Sequence, residues 1–514
     1  MPLTSASQDV TISSQRRPAD AHSADDHRTK RPFHDAWWIW AMSGAFFCVY
    51  ATLSLRIHHR LLSNSYDLGI FDQVVRSYAD GHLPVSELKG PGFPVLGDHF
   101  SPVLALIAPF YLIWRSAGTL LVVQAALIAS SVIPVALWAR RSLGSRAAAV
   151  IGVCYGLSWG IASAVGFDFH EVAFAVPLLA FSLSSLGQDR LTAAAVWAYP
   201  LLLVKEDLGL TVLVIGLLIA WRGARTLGLV TAAVGLTGAL LALLVILPAF
   251  SPSGSFAYWS FLGGSTGAVG AHGGGVLDVL YQGTVGLLSP QAKMQTLVCV
   301  LAPSLFLALR SPLLLTALPT LVWRFLSNDY VHWGTGYHYS LVLMPMVFCA
   351  FIDALVRRGT APRSVRRYLA GAAAVTLLTL PNFPFWQLVS PAAWRTDPRV
   401  AVAHSVMRTI PDGATVQAST YLVPQLTDRT SVSLFGFPAS RPSPQWIMVD
   451  TWVPERLRWP LSYEAERDAL ALAHRQGYDT AAERSGFVLL HLTHGSGAGF
   501  TGLGGYHSSV GHER

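Results

Sequence analysis

Long apolar runs separated by short polar stretches dominate this chain. Runs of spanning or near-spanning length fall at about 36–57, 118–139, 147–165, 171–187, 227–250, 293–309, 312–326, 338–356 and 368–388. A helix that crosses a bilayer uses roughly 20 apolar residues, and several of these runs are shorter. Two segments set the parity of the threading. Run 100–114 is apolar but holds Pro102 and Pro109 between polar loops. Segment 191–222 is long enough for one helix, or for a hairpin turning at Lys205-Glu206-Asp207.

With 100–114 in the interface and 191–222 as a hairpin, the chain makes eleven crossings and its loops separate by sign. Twelve arginines, from Arg140 to Arg367, fall in the loops on one side. The opposite loops carry carboxylates such as Asp80, Glu87, Asp98 and Asp329. Basic loops face the cytoplasm, so the acidic loops are extracytoplasmic. A spanning 100–114 would place Arg140, Arg141 and Arg146 outside, against that rule. Arg28, Lys30 and Arg31 precede the first run, which reads as an uncleaved signal anchor with its amino terminus inside.

Composition agrees with a polytopic membrane protein whose solvent is the lipid bilayer: 13% of residues are charged, against about 25% in soluble domains. The formal net charge of +7 is spread over short loops, where it encodes orientation, so no nucleic-acid partner is implied. Cys48, Cys154, Cys299 and Cys349 all lie in apolar runs and suggest neither a disulfide framework nor a metal spacing. No phosphate-binding glycine loop or nucleotide-binding domain is evident, which argues against an ATP-driven transporter.

The pattern divides the chain into a disordered cytoplasmic segment 1–32, a transmembrane domain 33–390, an α/β domain 391–492 and a disordered tail 493–514. Within 251–290, glycines and serines predict a long outer loop, either a lid or a plain connection. After residue 390 the pattern predicts strands near 414–418, 431–435 and 446–450, and helices near 420–427 and 463–476. A hairpin at Ser485-Gly486 leads into 487–492. The crossing count places this domain outside the cytoplasm.

Carboxylates are costly near lipid, about 2.5–3.5 kcal/mol each at mid-membrane. Clusters of them on one side therefore mark a site. Asp67 and Asp72 are five residues apart, about 140° on a helix. One can then face a cavity while the other caps or pairs locally. Asp168, His170 and Glu171 offer two carboxylates and an imidazole for a divalent cation, Mg²⁺ or Mn²⁺, although Glu171 also suits a helix start. Lys205, Glu206 and Asp207 interrupt an almost charge-free run, and charged irregular backbone at that depth needs a watery cavity around it. An internal ion pair is the alternative. His99, Arg324, Tyr337 and His338 complete the outer-face set as substrate-binding candidates, each open to a plain anchoring role.

At Asp67-Leu68-Gly69-Ile70-Phe71-Asp72-Gln73, Gly97-Asp98-His99-Phe100-Ser101-Pro102, Asp168-Phe169-His170-Glu171, Val204-Lys205-Glu206-Asp207, Tyr337-His338-Tyr339 and Ile410-Pro411-Asp412-Gly413-Ala414, the chain resembles a bacterial family. These are the predicted membrane proteins grouped as domain of unknown function 2079. That family is in turn similar to the GT-C glycosyltransferases, which use polyprenyl-phosphate sugars on the outer side of the membrane. The resemblance implies an all-α GT-C-like domain with interfacial helices within 66–115. It also implies an acidic catalytic base or metal ligand in the first outer loop, at Asp67 or Asp72.

The expected function is sugar transfer from a polyprenyl-phosphate-linked donor to a cell-envelope glycan or protein. In that reading Asp67 is the base and Asp72 orients the acceptor or a metal. Asp168, His170 and Glu171 hold the metal, and Lys205 meets the lipid phosphate. The competing expectations are a secondary transporter or flippase with an intramembrane charge relay, and a structural envelope protein without turnover.

Overall fold

Among the described residues, three helices are long and apolar enough to cross a bilayer: Trp37–His59, Ala117–Leu143 and Arg225–Phe250. The structure is a computed structural model that describes residues 36–255, 290–327, 329–357 and 359–493. The expectations for 1–32, for most of loop 251–290 and for the tail lie outside the described residues. Ser145–Gly156 and Trp159–Val165 form a fourth span if the 43° bend between them is counted as a break within one crossing. Ser158 causes that break, because its extended backbone interrupts the helical ladder. The shorter apolar helices include Glu171–Gly187, Leu191–Leu203, Leu208–Trp221 and Pro312–Leu326. The number of crossings therefore rests on loop charge rather than on helix length.

Both ambiguous segments resolve. The 191–222 stretch is a hairpin of two short apolar helices, with Lys205, Glu206 and Asp207 in its turn. Segment 102–113 is a 3-10 turn followed by a six-residue helix, Ala108–Ile113. Even as an unbroken α-helix it would be about 18 Å long, short of a hydrocarbon core of about 30 Å. Its Leu106, Phe110 and Ile113 are exposed, as expected of a segment lying against lipid. Helix Leu343–Arg357 begins five residues later than the apolar run does. That leaves His338 in irregular chain, and Tyr337 has a left-handed backbone with φ of 60°.

The helices pack by small residues. Leu208–Trp221 and Arg225–Leu241 meet along Gly209, Gly216, Gly228 and Gly235. A Cβ on Gly216 would lie 2.3 Å from the Ala232 nitrogen, and one on Gly228 2.2 Å from the Ala220 nitrogen. Dispersion between closely approaching backbones drives helix association in lipid, so glycine here is a packing requirement.

The carboxy-terminal sheet contains β3 (Thr415–Ala418), β4 (Ser431–Leu434), β5 (Trp446–Asp450), β6 (Tyr478–Arg484) and β7 (Phe487–Leu492); a separate two-residue pair, β1 (Val85–Ser86) and β2 (Phe93–Pro94), lies in the first loop. The order is β4-β3-β5-β7-β6. β4, β3 and β5 run parallel, while β7 is antiparallel to both β5 and β6. Ser485 and Gly486 both have positive φ, the backbone that a two-residue hairpin of this hand requires. The helix expected at 420–427 reduces to a 3-10 turn, Val423–Gln425. Pro424 inside it removes an amide donor and disfavours a continued helix.

This sheet domain docks on the amphipathic helix Ile70–Ala79 through one shared core that includes Phe71, Val74, Val423 and Val432. Gln73 Nε2 donates to the Val432 carbonyl at 2.8 Å, and Arg76 to the carbonyls of Thr427 (2.9 Å) and Thr430 (2.8 Å). Glu87 receives a forked pair of bonds from Arg441, at 2.9 and 3.0 Å. Asp72 is fully buried at this junction, where Tyr111 donates to it at 3.2 Å. Burial, reinforced by the charge of Asp428, pushes its carboxyl up to about 7.

Two predictions follow from these contacts. Gly228→Leu should reduce thermal stability in detergent by more than the usual overpacking cost of about 1–3 kcal/mol, because its clash is with backbone. Gly44→Ala, with nothing within 4 Å, should leave stability unchanged or slightly raised; equal effects would contradict the packing account. Asp72 keeps its proton in the native state to a higher pH than the ordinary carboxyl value of about 3.9. Its contribution to stability therefore falls as pH rises from about 4 to about 7. Asp72→Asn should flatten that part of the profile and stabilise the protein by about 1–4 kcal/mol above pH 7. Parallel pH profiles for variant and wild type would contradict this.

Candidate active site

The acidic clusters converge on one cavity of about 520 Å³. Asp67 enters it from a π-helical turn, Ser65–Gly69, which Asn64 caps by accepting from the Tyr66 amide. His99 comes from the loop before the interfacial segment, and His170 from the break ahead of helix Ala175–Gly187. Lys205, Glu206 and Asp207 come from the hairpin turn, and His338 from the chain preceding Leu343–Arg357. The apolar wall includes Leu208, Leu210, Leu243 and Val342.

Glu171 is the hub behind the wall. It is fully buried, with Oε1 2.7 Å from Lys205 Nζ and Oε2 2.6 Å from His170 Nδ1. Glu171 so engaged leaves the other nitrogen of His170, Nε2, facing Asp67 at 3.8 Å. The His170 ring stacks on His338, with centroids 3.4 Å apart and planes at 23°. Burial and the neighbouring His170 depress the pKa of His338. Its Nδ1 is buried without a hydrogen-bond partner. Burial raises the pKa of Asp67, with His170 acting in the opposite sense.

A second chain of charges runs along the same cavity. Glu206 accepts from the Phe100 amide at 3.2 Å and lies 3.5 Å from His99 Nδ1. His99 in turn is 3.7 Å from Asp98, which pairs with Lys89 at 3.0 Å. Burial alone would raise the pKa of Asp98, but His99 and Lys89 hold it below the usual value. Lys89 also lies 5.6 Å from the centre of the Tyr66 ring. That ring packs edge-on against Trp459 at 4.8 Å and Phe437 at 5.6 Å. The sheet domain thereby fixes one side chain of the cavity wall.

Four other expected residues lie off the cavity. Asp72 sits at the domain junction. Asp168 accepts from the Asn64 amide at 2.7 Å, and its carbonyl from Gln124 Nε2 at 2.9 Å. Arg324 is fully buried and donates to the carbonyls of His332 (2.8 Å) and Gly334 (2.9 Å) and to Ser340 Oγ (3.1 Å). It braces the loop that carries His338. Tyr337 packs against Phe167 at 4.8 Å, and its neighbour Tyr339 faces the cavity instead. The expected metal set of Asp168, His170 and Glu171 is not brought together around one point. The three ligand atoms that do gather, within 4.8 Å of one another, belong to Asp67, His170 and His338.

Tyr66 and Tyr339, neighbours of expected residues, also line the cavity, and so do Lys89, Trp323 and His332, which were not anticipated. Lys89 had one available signal, as a basic residue in a loop otherwise rich in acids.

The structure superposes on the crystal structure of ArnT from Cupriavidus metallidurans bound to undecaprenyl phosphate, with a TM-score of 0.50 and 13% identity, covering 89% of this chain and 98% of that one. The apo form of the same protein gives a TM-score of 0.45 at 14% identity, with the same coverage. At such identities the likeness is one of fold. No curated protein matches the sequence. The family model described as "Predicted membrane protein (DUF2079)" matches residues 57–489, from the end of the first long helix to the last strand. The chain therefore belongs to this predicted membrane protein family, and it has the fold of ArnT.

Proposed function

We propose that this protein moves a sugar from a polyprenyl-phosphate donor to a cell-envelope glycan or protein. The reaction takes place at the extracytoplasmic rim of a membrane domain with eleven crossings, and the 391–492 domain lies on the same side. The observation that carries this reading is the two-sided cavity, in which carboxylates, lysines and histidines meet a wall of leucine and valine. An isoprenoid phosphate has the same division between charge and hydrocarbon. ArnT, which has the same fold, has been crystallised with undecaprenyl phosphate.

Transfer requires the acceptor oxygen to attack the anomeric carbon while the bond from that carbon to the phosphate oxygen breaks. The bonding electrons leave with the polyprenyl phosphate, and the acceptor proton passes to a base. We assign that role to Asp67, which stands beside His170 and His338, rather than to Asp207 on the hairpin turn. Asp98, Glu171 and Glu206 each hold a cation or an amide at 3.2 Å or closer. The basic side chain nearest Asp67 is His170, at 3.8 Å. Lys205 and Lys89 stand where they would stabilise the departing phosphate. Arg324 positions the His338 loop and does not itself touch substrate.

Asp67→Asn keeps the shape of the side chain and removes the base. Transfer should fall by on the order of 10²–10⁴-fold. The measurement compares envelope glycans and glycoproteins of cells lacking the protein and complemented with wild type or variant at matched membrane levels. A glycan that reappears equally with both forms would sink the assignment of Asp67. No glycan difference between wild-type and deleted cells would sink the transferase reading itself.

A further inference from the structure

The cavity holds more negative charge than its cations match. Asp67, Asp98, Glu206 and Asp207 line it with Glu171 directly behind, against Lys89 and Lys205. Each lysine is already paired with a carboxylate, at 3.0 and 2.7 Å. A phosphate entering this space meets a surplus of carboxylate, so the site lacks positive charge where the chemistry needs it.

The side chains that gather around one point at the cavity wall are Asp67, His170 and His338. The two imidazoles lie face to face at 3.4 Å, and a metal binds such a ring through a bare nitrogen. His338 Nδ1 has no hydrogen-bond partner although its residue is only 7% exposed. Leaving such a nitrogen bare is unfavourable. Glu171 Oε2 lies against His170 Nδ1 at 2.6 Å. A carboxylate at the far nitrogen of a ligating histidine fixes its tautomer and raises its basicity.

We propose that Asp67, His170 and His338 bind a nitrogen-preferring divalent cation of the zinc class, with Glu171 holding His170 from behind. Two imidazoles and one carboxylate are the protein ligands of an open zinc site. Magnesium prefers an all-oxygen shell, so this assignment departs from the Mg²⁺ or Mn²⁺ expected from Asp168, His170 and Glu171. The ligand atoms, all within 4.8 Å of one another, would close to about 3.4 Å, the edge of a tetrahedron with arms of about 2.1 Å, and the stacked rings, now 23° apart, would turn so that both nitrogens meet the ion. Asp67 approaches His170 through Oδ1, which leaves its other oxygen for a proton. The need for positive charge rests on the transferase reading, whereas the ligand set does not, because metal uptake is measured with no substrate present.

The test uses the full-length protein in detergent, purified on a histidine-free tag and stripped with chelator. After exposure to Zn²⁺ or Co²⁺ and desalting, wild type should retain about one equivalent more than the double variant His170→Ala/His338→Ala. Zn²⁺ should raise the unfolding temperature of wild type but not of His338→Gln, whereas the same concentration of Mg²⁺ should raise neither. Equal retention by wild type and double variant, or equal stabilisation by Mg²⁺ and Zn²⁺, would overturn the site. If the variants do not fold, the wild-type Co²⁺ spectrum decides. Intense visible bands of a four- or five-coordinate nitrogen-bound ion support the site, and the weak bands of an all-oxygen octahedron refute it.

Discussion

Glu171 is the residue on which the arrangement of the cavity depends. Its carboxylate is fully buried and touches Lys205 on one oxygen and His170 on the other. Those contacts tie the hairpin turn to the break ahead of helix Ala175–Gly187, two elements held at fixed depth by the apolar helices around them. His170 then carries the constraint to Asp67 and to the His338 ring. Removing one partner of a buried charged pair leaves the other uncompensated, at about 3–5 kcal/mol. The triad is therefore structural as well as chemical, and it frees Asp67 from serving as the counter-ion of Lys205.

The carboxy-terminal domain belongs to the same argument. It shares a core with helix Ile70–Ala79, and its Trp459 and Phe437 hold Tyr66 against the cavity. Asp67 follows Tyr66 directly, on a π turn whose Ser65 hydroxyl bonds to the Thr420 hydroxyl at 2.8 Å. The angle at which Asp67 enters the cavity is set partly by the sheet domain and partly by the membrane helices. Asp72 shows the other side of this device. One helical face serves the cavity, and the opposite face, five residues on, is buried against the domain.

Much of this was legible in the sequence where a single physical rule dominates. Charge in an apolar run located Lys205, Glu206 and Asp207, and the two prolines of 100–114 marked it as non-spanning. Strand alternation and Ser485-Gly486 located the last hairpin. Spacing along the chain could not show that Asp168 turns toward the Asn64 amide while His170, two residues later, turns toward His338. That choice is made by contacts between segments more than 100 residues apart. For the same reason the main metal set was sought in Asp-x-His-Glu, whereas the ligand atoms that gather belong to Asp67, His170 and His338. Arg324 read as a substrate-binding residue because a fully buried arginine held by neutral oxygens is rare, and no sequence pattern announces one.

The central claim is that residues far apart in the chain share one cavity open to the outside of the cell. Its most direct test is the sidedness of labelling in a background with the four native cysteines replaced. His99→Cys, Asp207→Cys and Arg146→Cys would each be exposed to a membrane-impermeant maleimide on intact cells. The account predicts that the first two react from outside and that Arg146→Cys reacts only after the membrane is opened. Labelling of His99→Cys and Asp207→Cys from opposite sides would contradict it.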